Sequence, residues 1–135
     1  MTVTAIQIGL DPDVIDCSAP DFAQFAGLST EKLRAANDDN VAGLRAAGYR
    51  VDNCLIDFGA AGADKARRWL AATKYDAVLI GAGVRLVAGN TLLFEAIVNA
   101  AHETQPGARF VFNRAAVATP EDIRRWYPDP DVVAR

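Results

Sequence analysis

The chain has few of the residues that mark disulfide-rich, membrane-spanning or nucleic-acid-binding proteins. Its two cysteines, Cys17 and Cys54, are too few in 135 residues for a disulfide framework. Apolar runs such as AVLIGAGV (77–84) are far shorter than a membrane span, and the first residues, MTVTAIQIGL, do not resemble a signal peptide. The net charge is −3 with scattered lysines and arginines, so no basic stripe is present. We therefore expect a cytoplasmic protein that binds neither nucleic acid nor membrane.

Histidine is scarcer still, since His102 is the single one in the sequence. It falls near the end of a predicted helix, where the helix dipole favours a cation. The far end of that helix lies on the wrong side of the sheet for a general base. We therefore do not expect a Ser-His or Cys-His catalytic pair.

The remaining composition, 51% apolar and 23% charged, is that of one globular domain. Apolar runs alternate with segments of helical periodicity. The runs occupy 3–10, 51–58, 76–83 and 108–113, and the helical segments about 29–47, 63–73, 91–104 and from 119. Asn90 and Thr119 are the predicted N-caps of the last two helices. This alternation predicts a single α/β domain over 1–135, a three-layer αβα sandwich around a four-stranded parallel sheet. It also predicts an extended loop over 11–28 and an irregular C-terminal tail over 128–135.

The composition of the strands predicts their order. The third strand is almost wholly apolar, which suits a central position, whereas Asp52 and Asn53 in the second strand suit an edge. The simplest order is 2-1-3-4, with a crevice between strands 1 and 3 at their carboxyl ends, where open α/β sheets bind ligands. Loop 11–28 forms one wall of this crevice and 81–91 the other. Loop 11–28 is either a flap over the crevice or a short helix that buttresses the sheet.

Acidic residues follow the first strand in the segment DPDVID. Asp11 and Asp13 are the candidates for an acid/base pair, and their D-x-D spacing resembles that of haloacid-dehalogenase-type phosphatases. The segment departs from that pattern at Ile15, where those enzymes have threonine or valine, and no acidic pair follows a later strand. Hard cations require several converging oxygens, so we expect no metal site.

The segment GAGVRL follows the third strand and keeps only the first two glycines of the dinucleotide fingerprint G-x-G-x-x-G. A nicotinamide or flavin-dinucleotide site is therefore not expected. Gly81 and Gly83 allow close approach of the backbone at the crevice. Arg85 and the free N–H groups at the helix start near Asn90 would hold a phosphate or carboxylate.

Two further side chains belong to the same predicted site. Asn113 follows the fourth strand and is a candidate ligand-binding residue. Asp57 ends the second strand, where it either binds a ribose or sugar or caps the next helix. For Arg85 the alternative role is a structural salt bridge to Asp11 or Asp13.

A helix is predicted over 91–104, with the sequence TLLFEAIVNAAHET. It is apolar around nearly its whole circumference. A helix packed on a sheet needs only one apolar stripe. The rest of its surface is covered either by a second copy, giving a homodimer through 91–104, or by the tail over 128–135.

The run YDAVLIGAGVR, with LLFEAIVNAAHE and FNR after it, resembles a group of short bacterial proteins of uncharacterised function. The resemblance implies a flavodoxin-like or Rossmann-like α/β topology and no activity. It directs attention to Gly81, Gly83, Arg85, Glu95, His102 and Asn113. The Ser/Thr/Gly phosphate loop of flavodoxins is replaced by DPDVID, which would repel a phosphate, so we expect no FMN or other cofactor.

Three functional hypotheses follow from these features. The first is a dimeric binder of a small anionic or polar metabolite at the carboxyl edge of the sheet. The second is a metabolite enzyme that uses Asp11 or Asp13 as acid/base, and the third is a ligand-free interaction domain acting through 91–104. Asp11→Asn separates the first two, because it would abolish turnover but leave a binder's affinity nearly intact.

Overall fold

The computed structural model describes residues 1–25 and 27–131 and confirms the predicted α/β class. Four parallel strands form one sheet in the order β2-β1-β3-β4, as predicted, which is consistent with a flavodoxin-like fold. The strands are β1 (Thr4–Leu10), β2 (Arg50–Ile56), β3 (Ala77–Ile80) and β4 (Arg109–Val111).

Helices cover both faces of the sheet. They are α1 (Thr30–Ala46), α2 (Gly59–Ala72), α3 (Ala82–Arg85), α4 (Thr91–Thr104) and α5 (Thr119–Asp122), the last continued by a 3₁₀ turn over Ile123–Arg125. Helices α2 and α4 contribute to the apolar core on one face, whereas α1 and the turn after α5 contribute to the core on the other. No helix in the described ranges is long and apolar enough to cross a bilayer.

Helix α1 follows from its local sequence. The Ser29 side chain accepts a hydrogen bond from the Lys32 N–H and so satisfies one of the unpaired donors of the first turn. The helix ends before Gly48, whose φ of +99° is readily adopted only by glycine. The chain then turns directly into β2.

Several boundaries differ from the prediction. Helix α2 begins four residues earlier than predicted, since Gly59 adopts φ +64° and the missing Cβ of Gly62 makes room for the Asp57 carbonyl. Asn90 precedes α4 as predicted, but its side chain bonds Gly83 instead of capping the helix. Thr119 is the first residue of α5, not its cap.

The loop over 11–28 and the tail over 128–135 are tied to the domain in their described parts. The loop contains two 3₁₀ turns, and Phe22 in the second is buried in the apolar core to which α2 and α4 contribute. In the tail, Asp131 pairs with Thr2 in an antiparallel bridge, and the Pro130 carbonyl accepts a hydrogen bond from the Val3 N–H at 2.6 Å. Residue 26 of the loop and 132–135 of the tail lie outside the described residues.

The helix predicted over 91–104 is α4, with the same bounds. Its inner side packs in the core through Leu93 and Ile97, and its half-buried Phe94 contacts Phe112 edge-to-face with ring centroids 6.2 Å apart. Leu92 remains 77% exposed. The homodimer through this helix stays a prediction.

The two faces of β1 differ in how they are filled. Successive strand residues point to opposite faces, and Ile6, Ile8 and their neighbours pack towards α2 and α4. On the face towards α1, Val3 and Ala5 fill the amino end of the strand, but Gln7 and Gly9 occupy its carboxyl end. The core towards α1 is therefore incomplete at the carboxyl edge of the sheet.

Candidate functional site: an amide-lined cleft

A cleft of about 160 Å³ lies where that core is incomplete, between α1 and the carboxyl ends of β1 and β3. This is the point at which the strand order reverses, since β1 has β2 on one side and β3 on the other. Its lining consists of apolar side chains, glycines and five polar side chains, and within the described ranges it includes no charged residue. The polar side chains are Gln7, Asn37, Asn40, Asn113 and Thr119.

Gly9 keeps the floor of the cleft open. A Cβ built on Gly9 would have no described atom within 4 Å. Strands buried between helices are normally apolar on both faces, so an ordinary valine or isoleucine here would occupy this space. The cleft therefore results from a glycine in a strand whose backbone does not require one, because its φ is not positive.

Helix α1 forms one wall of the cleft. Leu33, Ala36, Asn37 and Asn40 all line it, and their spacing of three, four and seven residues places them on one face of a helix. The face therefore begins apolar and becomes polar where it meets Gln7.

Two amide groups in the cleft have one oxygen each without a hydrogen-bond partner. Gln7 donates from Nε2 to the Oδ1 of Asn37 at 3.0 Å and to that of Asn53 at 3.5 Å, and Asn40 donates from Nδ2 to the Ala116 carbonyl at 2.6 Å. Gln7 Oε1 and Asn40 Oδ1 are buried and accept no hydrogen bond from any described residue. An unpaired buried polar group costs about 1–3 kcal/mol, so these oxygens indicate a place for a bound donor.

Three of the predicted ligand-binding residues, Gly81, Gly83 and Asn113, do line the cleft. Gly81 directly follows β3, and its backbone lies close to β1. A Cβ built on Gly81 would lie 3.6 Å from the Ile8 carbonyl oxygen and 3.7 Å from the Gly9 Cα. The expectation of close backbone approach at this point agrees with that packing.

Arg85 does not line the cleft but supports its wall. Its guanidinium donates to the Ile80 carbonyl and, at 2.9 and 3.0 Å, to the Oδ1 and carbonyl oxygen of Asn113. It also lies 4.9 Å from the centre of the Phe112 ring. The hydrogen bonds of Arg85 therefore tie the segment after β3 to the end of β4. Burial lowers the pKa of this guanidinium.

The aspartates after β1 have other partners than Arg85. Asp11 accepts a hydrogen bond from the Asp13 N–H at 2.9 Å and begins a 3₁₀ turn. Asp13 forms an exposed salt bridge with Arg34 of α1 at 2.5 Å. The alternative salt bridge from Arg85 to these aspartates is not formed among the described residues, because the turn holds Asp13 against α1. Neither aspartate lines the cleft within the described part of the chain.

Asp57 and Asn90 also lie away from the cleft lining. Asp57 is exposed and accepts from the Phe58 N–H at 2.7 Å, at the start of α2. Asn90 is buried, and its Nδ2 donates to the Gly83 carbonyl at 2.9 Å, which fixes α3 relative to α4.

The other reactive side chains are dispersed. Glu95 and His102 are exposed on α4, and Cys17 is half-buried in the loop after β1. Cys54 is buried in β2, and burial raises the pKa of its thiol to about 11. Among the residues that the structure describes, no three His, Cys, Asp or Glu side chains form a group that could hold a metal ion.

Sequence reasoning located the crevice but missed Gln7, Gly9, Asn37 and Asn40. The signal was present in the alternation of the first strand, where the positions facing α1 read Val, Ala, Gln, Gly. The two asparagines of NDDN are also three residues apart on one helical face.

A larger groove of about 780 Å³ lies at the amino edge of the sheet, near Tyr75 and Gln105. The Gln105 side chain accepts from the Tyr75 N–H at 2.9 Å and donates to the Leu70 and Thr73 carbonyls, each at 2.6 Å. These bonds hold neighbouring turns together, so this amide has a structural role.

No family model, curated protein or solved structure matches this chain. The fold that the resemblance to short bacterial proteins implied is present, whereas the resemblance itself stays a prediction.

Proposed function

We propose that the protein binds a small polar metabolite in the amide-lined cleft. The observation that carries the proposal is the pair of buried, unpartnered oxygens, Gln7 Oε1 and Asn40 Oδ1, which belong to two residues that line a cleft that Gly9 leaves open. Its position at the reversal of strand order, where α/β sheets commonly bind ligands, supports the same conclusion.

The volume of the cleft limits the size of the ligand. Sites for drug-sized ligands measure about 300–1,000 Å³, and this cleft measures about 160 Å³. A cavity of about 150 Å³ accommodates benzene. The proposed ligand therefore has roughly ten non-hydrogen atoms or fewer, which excludes a whole nucleotide or FMN from the cleft as it stands.

Of the anionic and polar metabolites expected from the sequence, the contacts of Arg85 favour the polar ones. Its guanidinium donates to Ile80 and Asn113. Because Arg85 is not among the described residues that line the cleft, an anion bound there would meet no guanidinium charge. The dimeric state and the catalytic alternative through Asp11 or Asp13 stay predictions.

A thermal-shift screen with metabolites of this size tests the proposal. A ligand at a hundred times its Kd should raise the free energy of unfolding by about 2.7 kcal/mol. Gly9→Ala, which adds a methyl group to the cleft floor, should weaken the affinity about tenfold or more. Gly107→Ala is the matched control, because a Cβ there also has no described atom within 4 Å but lies outside the cleft lining.

The outcome separates the three functional hypotheses. A shift that Gly9→Ala weakens and Gly107→Ala retains supports binding in the cleft. Turnover of a compound that Asp11→Asn abolishes would instead favour the enzyme. If no compound stabilises the protein, the binding proposal is wrong and the interaction domain acting through 91–104 becomes the better hypothesis.

A further inference from the structure

We infer that the ligand of the cleft is an uncharged molecule that donates hydrogen bonds, such as a small carboxamide or alcohol. This inference rests on the proposed function and names the chemical class of the ligand. Two independent features carry it: the direction of the amides and the absence of charge from the described lining.

The amides are oriented by the bonds that they already make. Gln7 uses Nε2 towards Asn37, and Asn40 uses Nδ2 towards the Ala116 carbonyl. What each presents without a partner is its oxygen, which only accepts hydrogen bonds. Gln7 is 9% and Asn40 6% exposed, so bulk water cannot fully solvate these oxygens. A ligand that satisfies them must therefore carry N–H or O–H groups.

The charge of the lining argues against an ionic ligand. No Asp, Glu, Lys, Arg or His is found in the described lining of the cleft. A carboxylate or ammonium that entered would lose hydration without gaining an opposite charge, which is strongly unfavourable. A carboxylate would also bring acceptors towards two acceptors. An uncharged donor avoids both costs.

The rest of the lining selects the body of the ligand. Leu33, Leu79 and Val111 surround the polar groups with apolar side chains. A compact apolar body with a donor group at one end matches this division, because its apolar surface is removed from water while its donors meet the amides. Substituted benzenes have this form and a suitable size.

Five benzene derivatives separate donor capacity from charge. Benzamide and benzyl alcohol are uncharged donors, methyl benzoate is an uncharged acceptor, benzoate is an anion and benzylammonium is a cation. Titration of the ¹⁵N-labelled protein would be followed through the side-chain NH₂ signals of Gln7, Asn37 and Asn40. We expect benzamide or benzyl alcohol to bind roughly tenfold more tightly than each of the other three.

Variants of the acceptors test the same point within the protein. Gln7→Met removes the unpartnered oxygen at nearly constant volume and should weaken benzamide binding roughly tenfold, with little effect on methyl benzoate. Asn40→Leu provides a second acceptor deletion if the first variant does not fold. Asn99→Leu is the control, because Asn99 is exposed on α4 and lies outside the cleft lining.

The possible results distinguish this inference from the proposed function. If benzoate, benzylammonium or methyl benzoate perturbs the cleft signals at concentrations as low as the uncharged donors do, the donor inference is wrong and cleft binding stands. If acceptor deletion leaves benzamide affinity unchanged, the inference is also wrong. If none of the five compounds perturbs these signals, the donor inference is wrong, and the thermal-shift screen decides whether the cleft binds another metabolite.

Discussion

Gln105 and Gln7 are buried glutamines at opposite edges of the same sheet, 8% and 9% exposed, yet their amides are used differently. At the amino edge, both ends of the Gln105 amide are bonded, to the Tyr75 N–H and to the carbonyls of Leu70 and Thr73. At the carboxyl edge, Gln7 donates to Asn37, and its oxygen has no partner among the described residues.

The difference follows from what the surrounding backbone leaves unpaired. Leu70 lies in the last turn of α2 and Thr73 directly follows the helix, where carbonyls lack partners within the helix. Gln105 satisfies them and so acts as a helix-terminating group. Beside Gln7, the missing side chain of Gly9 leaves open space instead. Equal burial of the same residue type therefore does not indicate the same role, and the unpaired atom is the informative observation.

The largest expected effect of a substitution is at the amino edge. Gln105→Leu would leave a buried N–H and two carbonyls without their side-chain partner, so we expect a loss of about 3 kcal/mol in the free energy of unfolding. Urea denaturation measures it. Gln7→Leu is the matched comparison and should cost about 1 kcal/mol or less, since it removes one good hydrogen bond but also an unpaired buried oxygen. Equal losses would contradict the distinction between the two amides.

A second prediction concerns Asp122, whose buried carboxylate lies after β4 on the α1 side. Burial by itself would raise the pKa of this carboxyl, but hydrogen bonds from the backbone and side chain of Arg114 and the charges of Arg114 and Arg125 outweigh it and lower the pKa. The distances from Asp122 to Arg114 Nε and to a terminal guanidinium nitrogen of Arg125 are 2.7 and 2.6 Å.

The folded-state pKa of Asp122 lies below the unfolded value of about 3.9. The ionised carboxylate therefore contributes fully to the free energy of unfolding above about pH 3.9, and this contribution is lost as the pH falls through the folded-state pKa. Asp122→Asn should therefore destabilise the protein by about 2 kcal/mol at pH 7 and by less at pH 3. Denaturation at both pH values measures this.

Benzamide binding between about pH 5 and 8 should not change, since no titratable group lines the described cleft. A pH-dependent affinity would show that a charge contributes to the site.

A smaller effect is expected from filling the glycine positions at the two edges. Gly9→Ala and Gly107→Ala should each raise the free energy of unfolding by about 0.5–1 kcal/mol, because alanine reduces the entropy of the unfolded chain and neither Cβ meets a described atom within 4 Å. Urea denaturation compares both with the unsubstituted chain. Destabilisation by Gly9→Ala alone would mean that the space beside Gln7 is not open.

The smallest effect is expected at the loop after β1. Asp13→Asn removes an exposed salt bridge to Arg34, a type of contact that contributes little to stability. Because Asp13 is not among the described lining residues, affinity for benzamide should stay within about twofold. Calorimetric titration of the two proteins measures it. A large loss of affinity would show that loop 11–28 contributes to the binding site and would favour the enzyme that uses Asp11 or Asp13 as acid/base.

The fold could be predicted because its signals are local. Alternating apolar runs and helical segments, with an almost wholly apolar third strand, were sufficient for the order 2-1-3-4 and for the exact bounds of α4. The start of α2 was less accurate, because it depends on the φ of Gly59 and on the packing of Gly62 against Asp57. Those contacts exist only once strand and helix meet.

The candidate site could be predicted in position but only partly in residues. Gly81, Gly83 and Asn113 line the cleft, whereas Arg85, Asn90 and Asp57 do not. The charged residues attracted attention because their chemistry is conspicuous in a sequence. Their partners, such as Asn113 for Arg85 and Arg34 for Asp13, are distant along the chain, and the sequence alone could not pair them.

The sequence by itself determined the architecture of this protein, since hydrophobic periodicity specifies which segments form strands and helices and where their carboxyl ends meet. Only the tertiary structure decided which polar atoms are paired. A hydrogen bond forms only when the donor–acceptor distance is correct to within a few tenths of an ångström. The sequence does not fix that distance for residues such as Gln7 and Asn37, which are thirty positions apart. The cleft depends on the same geometry, because Gly9 becomes an opening only when α1 packs across β1.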